Sequence, residues 1–262
     1  LHHTNAIAQR PKAIMAFGLR LQNLAAWRFD FKVSRPDMRG QYQDNIREAR
    51  HLPHALALGP VEIARRSAPD SLIGAVVRNA VGVVDVSTLG KIDVFGKDAG
   101  AFLDFLYTNM FSTLKPGRVR YGLMLREDGF VMDDGTTARL GENHYLMTTT
   151  TAAAGQVLSH LEFLQQALLP GADVVLQSVT DQWAQIAIAG PKARVLLAGL
   201  TDTDLSDAAL PFMACKTLTI DGVGARLFRI SFSGELGYEL AVPARFGASL
   251  FEALLRLAAP FG

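Results

Sequence analysis

The sequence predicts an α+β fold, and three observations carry that prediction. From Ser71 onward, strand and helix patterns are interspersed without the strict strand-helix-strand alternation of a doubly wound sheet. Two β-rich runs, Tyr121 to Leu125 and Val131 to Leu140, flank the tight-turn sequence Glu127-Asp128-Gly129 and read as a hairpin. The chain has 262 residues, 49% hydrophobic and 19% charged, which is apolar material enough for one large core or two modest ones.

The elements follow in order. Ile73 to Val81 has a helical pattern, and Val83 to Val86 and Lys91 to Val94 read as strands on either side of the turn Thr88-Leu89-Gly90. Asp98 to Tyr107 places Ala99, Phe102, Leu103 and Leu106 at helical spacing, with Asp98 favouring the first turn. After the hairpin, His144 to Thr149 adds a strand and Ala152 to Ala167 a helix with Val157, Leu161 and Leu164 on its apolar face. Strands are expected at Val174 to Val179 and Trp183 to Ala189. A second unit then offers a helix from Lys192 to Gly199, strands at Thr217 to Ile220, Ala225 to Ile230 and Tyr238 to Val242, and a helix from Gly247 to Ala258.

Residues 1–70 have a different texture and are expected to form a separate, irregular, basic leader. Short helical patterns (Ala13 to Trp27, Val61 to Arg66) are interrupted by Pro11, Pro36, Pro53, Pro60 and Pro69. This stretch holds 11 Lys/Arg against 6 Asp/Glu, whereas residues 71–262 hold 15 against 19. Arg65 and Arg66 read as a solvated surface, and His2, His3, His51 and His54 lack a metal-binding spacing. The chain begins at Leu1 and stops at Gly262 directly after a helical pattern, as a piece cut from a longer protein would.

Net charge is +1, which gives no basic face for nucleic acid. No run approaches the roughly eighteen apolar residues of a membrane span, and no signal-peptide layout opens the chain, so a cytoplasmic protein is expected. A single cysteine, Cys215, excludes an internal disulfide framework and sits in an apolar run as core filler. Neither G-x-G-x-x-G nor a P-loop motif occurs, so dinucleotide and nucleoside-triphosphate sites of those types are not expected.

Three stretches carry candidate chemistry. In Arg120 to Gly135, adjacent Asp133 and Asp134 on a strand point to opposite faces, so one at most faces a given cavity; Asp-Asp-Gly is equally an ordinary strand exit. Tyr121 on the partner strand either packs in the core or presents its ring and hydroxyl near that carboxylate. Thr148 to Thr151 end a strand and either line a polar pocket or cap the next helix, capping being the expectation for Thr151. In Arg229 to Leu240 two glycines frame an excursion between strands, and Glu239 on the returning strand is an acceptor for the N–H groups of a heterocycle, or part of a solvated hairpin.

These stretches, together with Gly82-Val83-Val84-Asp85-Val86-Ser87-Thr88-Leu89-Gly90-Lys91 and Ser233-Gly234-Glu235 to Tyr238-Glu239, resemble the aminomethyltransferase family, which includes the glycine-cleavage T-protein. The wording of Ser87 to Asp93, Arg120 to Gly129, Met147 to Thr151 and Phe228 to Phe232 is similar to the C-terminal half of sarcosine oxidase alpha subunits. The resemblance covers about residues 72–262. It implies a cloverleaf of mixed α/β subdomains around a tetrahydrofolate site, continued by a C-terminal barrel that lies beyond this chain. It further implies that Asp134 is the catalytic carboxylate beside the folate N10, aiding capture of a one-carbon unit. By the same resemblance Tyr121 packs on the folate, Thr148 and Thr150 line the pocket, Met213 occupies an aromatic contact position, and Glu239 holds the pterin. Flavin and NAD are expected only on other regions or on a flavin-containing partner subunit. The function implied is passage of a carbon from an oxidised N-methyl amine to tetrahydrofolate, against two alternatives: a non-catalytic folate-binding assembly module, or an inactive fragment.

Overall fold

A computed structural model describes residues 76–261. The expectations for residues 1–75, including the leader, its arginines and histidines and the first residues of the Ile73 helix, lie outside the described residues. Residues 76–79 are helical, and the chain then enters ten strands and four α-helices in the order β1 (Gly82–Asp85), β2 (Gly90–Phe95), α1 (Ala99–Leu106), β3 (Arg118–Leu125), β4 (Val131–Gly141), β5 (His144–Thr149), α2 (Ala154–Phe163), β6 (Val175–Ser178), β7 (Trp183–Ala189), α3 (Ala193–Ala198), β8 (Ala214–Ile220), β9 (Val223–Arg229), β10 (Gly237–Pro243) and α4 (Gly247–Ala258).

All ten strands join one antiparallel sheet in the order β1-β7-β10-β9-β8-β3-β4-β5-β2-β6. β1 and β2 do not pair across the Thr88-Leu89-Gly90 turn. They stand eight strand positions apart, yet only Val86 to Leu89 connect them. The link from β6 to β7, Val179 to Gln182, spans the same eight positions. A flat sheet would separate those strands by about 38 Å at ~4.8 Å per spacing. Five residue steps reach about 18 Å at most. The sheet therefore curls until its two ends meet.

Alternation along each strand then assigns every side chain to one of two faces. The convex face is covered by helices in two separate cores. Phe102 and Leu103 of α1 and Val157 and Leu161 of α2 pack on Met124, Tyr145 and Met147. Leu196 and Leu197 of α3 and Leu250 and Leu254 of α4 pack on Ile186, Ile188, Leu240 and Val242. The concave face has its own cluster of Val119, Ala138, Leu146, Cys215, Phe228 and Ala241, drawn from both halves of the sheet. Cys215 is buried there, and burial pushes its thiol pKa up to about 11, so it is packing and not a nucleophile.

Local differences from expectation have local causes. β4 bulges at Met132, because Leu125 pairs with Val131 while Met124 pairs with Asp133. The turn before it depends on Gly129 at φ +84°. β8 begins at Ala214, three residues earlier than propensity indicates, because Pro211 to Met213 lead straight into the ladder with β9. Thr151 does not cap α2: the capping position is Ala153, without a side-chain bond, and the Thr151 hydroxyl lies 3.1 Å from that of Thr88. Gly135 is where β4 and β5 press together, since a Cβ there would fall 2.0 Å from the Thr148 carbonyl oxygen. Gly135→Ala is expected to cost roughly 2 kcal/mol or more through forced strand separation, read as a lower urea midpoint at unchanged slope.

Candidate functional site

The concave face collects most of the predicted site residues because they alternate with its apolar cluster. Tyr121 follows Val119 by two, Asp134 and Thr136 precede Ala138 by four and two, Thr148 follows Leu146 by two, and Glu239 precedes Ala241 by two. Register sets them side by side: Tyr121 faces Thr136, Leu123 faces Asp134, and Lys91 faces Thr148. The Thr136 and Thr148 hydroxyls are 3.0 Å apart, and Thr148 Oγ1 also accepts the Thr136 N–H at 3.0 Å.

Asp134 is exposed on this face, whereas Asp133 is buried on the other. Asp133 accepts the Thr150 hydroxyl at 2.7 Å and the Thr150 N–H at 3.1 Å. Thr150, exposed just past the end of β5, is thus tied to Asp133, whereas Thr148 is tied to Thr136. The pKa of Asp134 is raised, by partial desolvation first and the neighbouring Asp133 carboxylate second. A strand that places two acids in sequence holds the outer one as a better proton acceptor than an ordinary aspartate.

Tyr121 keeps 47% of its surface exposed and donates its hydroxyl to the Ser231 carbonyl oxygen at 2.9 Å, across β8 and β9. Its pKa is raised by burial, with the Ser231 bond opposing and the charges of Glu239 and Asp134 adding. Three groups from β3, β4 and β10 thus share one electrostatic environment. Beside them Phe232 is fully exposed on the β9–β10 loop, which is held by an Arg78–Glu235 ion pair of 2.8 Å.

Glu239 is half-buried and accepts a hydrogen bond from the Gln185 side-chain amide of β7. Burial raises its pKa, opposed by that bond and by Lys91. Met213 immediately precedes β8. It has a left-handed backbone (φ 60°), is bonded through its N–H to the Arg229 oxygen at 2.9 Å, and packs against the concave apolar cluster. Its own backbone oxygen accepts the Val119 N–H at 2.8 Å, which fixes it at the β3–β8 junction.

Lys91, Ser87, Gln185 and Phe232 were not singled out by the sequence. Lys91 and Gln185 do carry a signal, each a polar residue between apolar strand neighbours, Gly90-Lys91-Ile92 and Ala184-Gln185-Ile186. Phe232 carries none, since an exposed loop aromatic has no periodicity. Among the described residues no group of acids, histidines or cysteine is arranged to hold a metal ion, and no helix is long and apolar enough to cross a membrane.

The family described as GCVT N-terminal domain matches residues 74–262. The chain belongs to that family. Among curated GCVT-domain proteins, the sarcosine oxidase subunit alpha of Rhizobium meliloti (strain 1021) is 59% identical over 181 residues, covering 68% of this chain and 18% of the relative. The aminomethyltransferase of Geobacillus kaustophilus (strain HTA426) is 39% identical over 179 residues, covering 68% of this chain and 48% of the relative. The chain thus spans less than a fifth of the one and about half of the other. Both relatives are enzymes. In structure, aminomethyltransferase T of the Bartonella henselae glycine cleavage system superimposes with a TM-score of 0.60 at 27% identity, over 70% of this chain and 47% of that one. Heterotetrameric sarcosine oxidase from Corynebacterium sp. U-96 shares the fold, with a TM-score of 0.53 at 16% identity, over 70% of this chain and 86% of that one. The α+β aminomethyltransferase fold expected from the sequence is the one this GCVT domain adopts.

The raised pKa of Asp134 has a consequence for stability. A carboxyl that titrates higher folded than unfolded destabilises the fold once pH rises above its unfolded value, fully so above its folded value. Asp134→Asn is therefore expected to raise the urea midpoint at pH 7, and the gain is expected to vanish below about pH 4, where the unfolded carboxyl is also protonated.

Proposed function

We propose that this domain binds tetrahydrofolate on its concave face and forms the one-carbon transfer part of a sarcosine-oxidase-like enzyme, passing the carbon of an oxidised N-methyl amine to the folate. The observation that carries this reading is Asp134: an exposed carboxylate with a raised pKa, beside the half-exposed ring of Tyr121 and in the same field as the half-buried acceptor Glu239. The donor set fits a pterin. A planar heterocycle with N–H groups needs an anionic acceptor fixed in direction, which Gln185 provides at Glu239, and a flat aromatic surface, which Tyr121 and Phe232 offer.

Tetrahydrofolate supplies the amines that take up the carbon. The protein's part is positioning and charge control. Asp134 would accept a proton from an attacking amine, and its elevated basicity suits it to that task better than an ordinary aspartate. Thr148 is committed to Thr136 and shapes the floor next to it. No protein nucleophile is required, in keeping with the high thiol pKa of Cys215. Family membership supports the folate assignment. The heterotetrameric assembly of the Corynebacterium enzyme supports a multi-subunit setting, in which a flavin-containing partner would oxidise the amine.

Tetrahydrofolate is expected to raise the melting temperature of the protein in proportion to the logarithm of its concentration above Kd. With the complete set of partner subunits, Asp134→Ala is expected to lower formation of 5,10-methylenetetrahydrofolate about 10²- to 10⁴-fold while leaving folate binding within a few-fold. Absence of thermal stabilisation by folate would sink the reading. Binding with no dependence of turnover on Asp134 would favour the non-catalytic folate-binding module instead.

A further inference from the structure

Lys91 is wholly buried on β2, and its ammonium donates to two backbone carbonyl oxygens, those of Ser87 and Leu89, each at 2.9 Å. Both carbonyls belong to the connection that closes the curled sheet. The Ser87 side-chain oxygen accepts the Gln185 N–H at 3.0 Å, and the Val86 N–H donates to the Gln185 oxygen at 2.9 Å. The Gln185 side chain in turn donates to Glu239. Hydrogen bonds therefore link Lys91 to Ser87, Ser87 to Gln185 and Gln185 to the Glu239 carboxylate, entering and leaving Ser87 and Gln185 by backbone on one side and side chain on the other, and joining three separate segments of chain.

Burying a cation costs several kcal/mol unless charge of opposite sign compensates it. Two neutral carbonyls do not supply that charge. Glu239 of β10, Asp85 of β1 and Asp181 of the β6–β7 connection do, and all three act on Lys91, with Glu239 the largest. Tyr121 of β3 feels the charge of Glu239 as well as that of Asp134 of β4. The attraction is reciprocal: what Glu239 does for Lys91, Lys91 does for Glu239.

We propose that Lys91 is a positioning residue that, through Ser87 and Gln185, orients the Glu239 carboxylate and balances its charge so that it stays an anionic acceptor for the N–H groups of the bound heterocycle. Lys91 itself has no exposed surface and does not touch the ligand. The proposal rests on the tetrahydrofolate reading for the identity of the ligand, but its core, the coupling of Lys91 to Glu239, is measurable without any ligand.

The test has two arms. Carbon-13 NMR of glutamate-labelled protein, with the Glu239 carboxyl assigned by its loss in Glu239→Gln, follows the titration of that group. In Lys91→Met it is expected to titrate about one pH unit higher than in the parent, and in Lys91→Arg close to the parent. Should Lys91→Met not fold, Lys91→Gln removes the charge while keeping a donor and carries the same expectation. In the second arm, calorimetric titration with tetrahydrofolate is expected to show an affinity loss in the uncharged variant that grows as pH falls from 8.5 to 6, and no such pH-dependent loss when Glu239→Gln is also present. A Glu239 titration unchanged by loss of the lysine charge overturns the proposal. If the parent protein binds no tetrahydrofolate while Glu239 still shifts, the folate reading fails and the Lys91–Glu239 coupling stands.

Discussion

Everything at the candidate site depends on two short connections. Val86 to Leu89 and Val179 to Gln182 each tie together strands that would stand about 38 Å apart in a flat sheet. Neither segment can reach that far, so the ten strands must roll up. Without that curl β2 and β10 would lie on remote parts of the sheet, and Lys91 and Glu239 would not share a field. The buried ammonium of Lys91 holds one of the two connections by its carbonyls, so a single side chain both fastens the closure and charges the site behind it.

The curl also divides labour between the faces. Helices cover the convex side, where two conventional apolar cores form, one under α1 and α2 and one under α3 and α4. The concave side carries its own apolar cluster, including Val119, Ala138, Leu146, Phe228 and Ala241, with polar neighbours two residues away along the strands. Deeper along the same face, Asp93 lies 2.8 Å from His144, which stacks on Phe95, and Arg226 stacks over Trp183 at 4.0 Å. The end bearing Tyr121 and Asp134 keeps exposed surface, and the site opens there.

The adjacent aspartates illustrate how one strand builds two kinds of carboxylate. Asp133 is buried and its charge is spent on Thr150, which anchors the exit of β5. Asp134, one residue on, faces the open side with no side-chain partner of that kind. Its elevated basicity comes from partial desolvation and from the charge next door, so the structural acid tunes the functional candidate. The β4 bulge at Met132 takes up the extra residue between the tight turn and this pair.

The sequence by itself determined the α+β class, nearly every strand and helix, and the alternation that sends Asp133 and Asp134 to opposite faces, because those depend on spacing within a few residues. β5, β7 and α4 begin and end at the expected residues, and the hairpin of β3 and β4 pairs as its turn requires. It also pointed to Tyr121, Asp134, Thr148 and Glu239, which the fold gathers on one face. Only the tertiary structure decided that β1 and β2 part to opposite ends of the sheet, that Thr150 serves Asp133 and Met213 serves packing, and that Lys91 and Gln185 stand behind Glu239. Those facts rest on pairings between residues as far apart in sequence as Gly82 and Ala189, and no local pattern records which distant strand a given strand will choose.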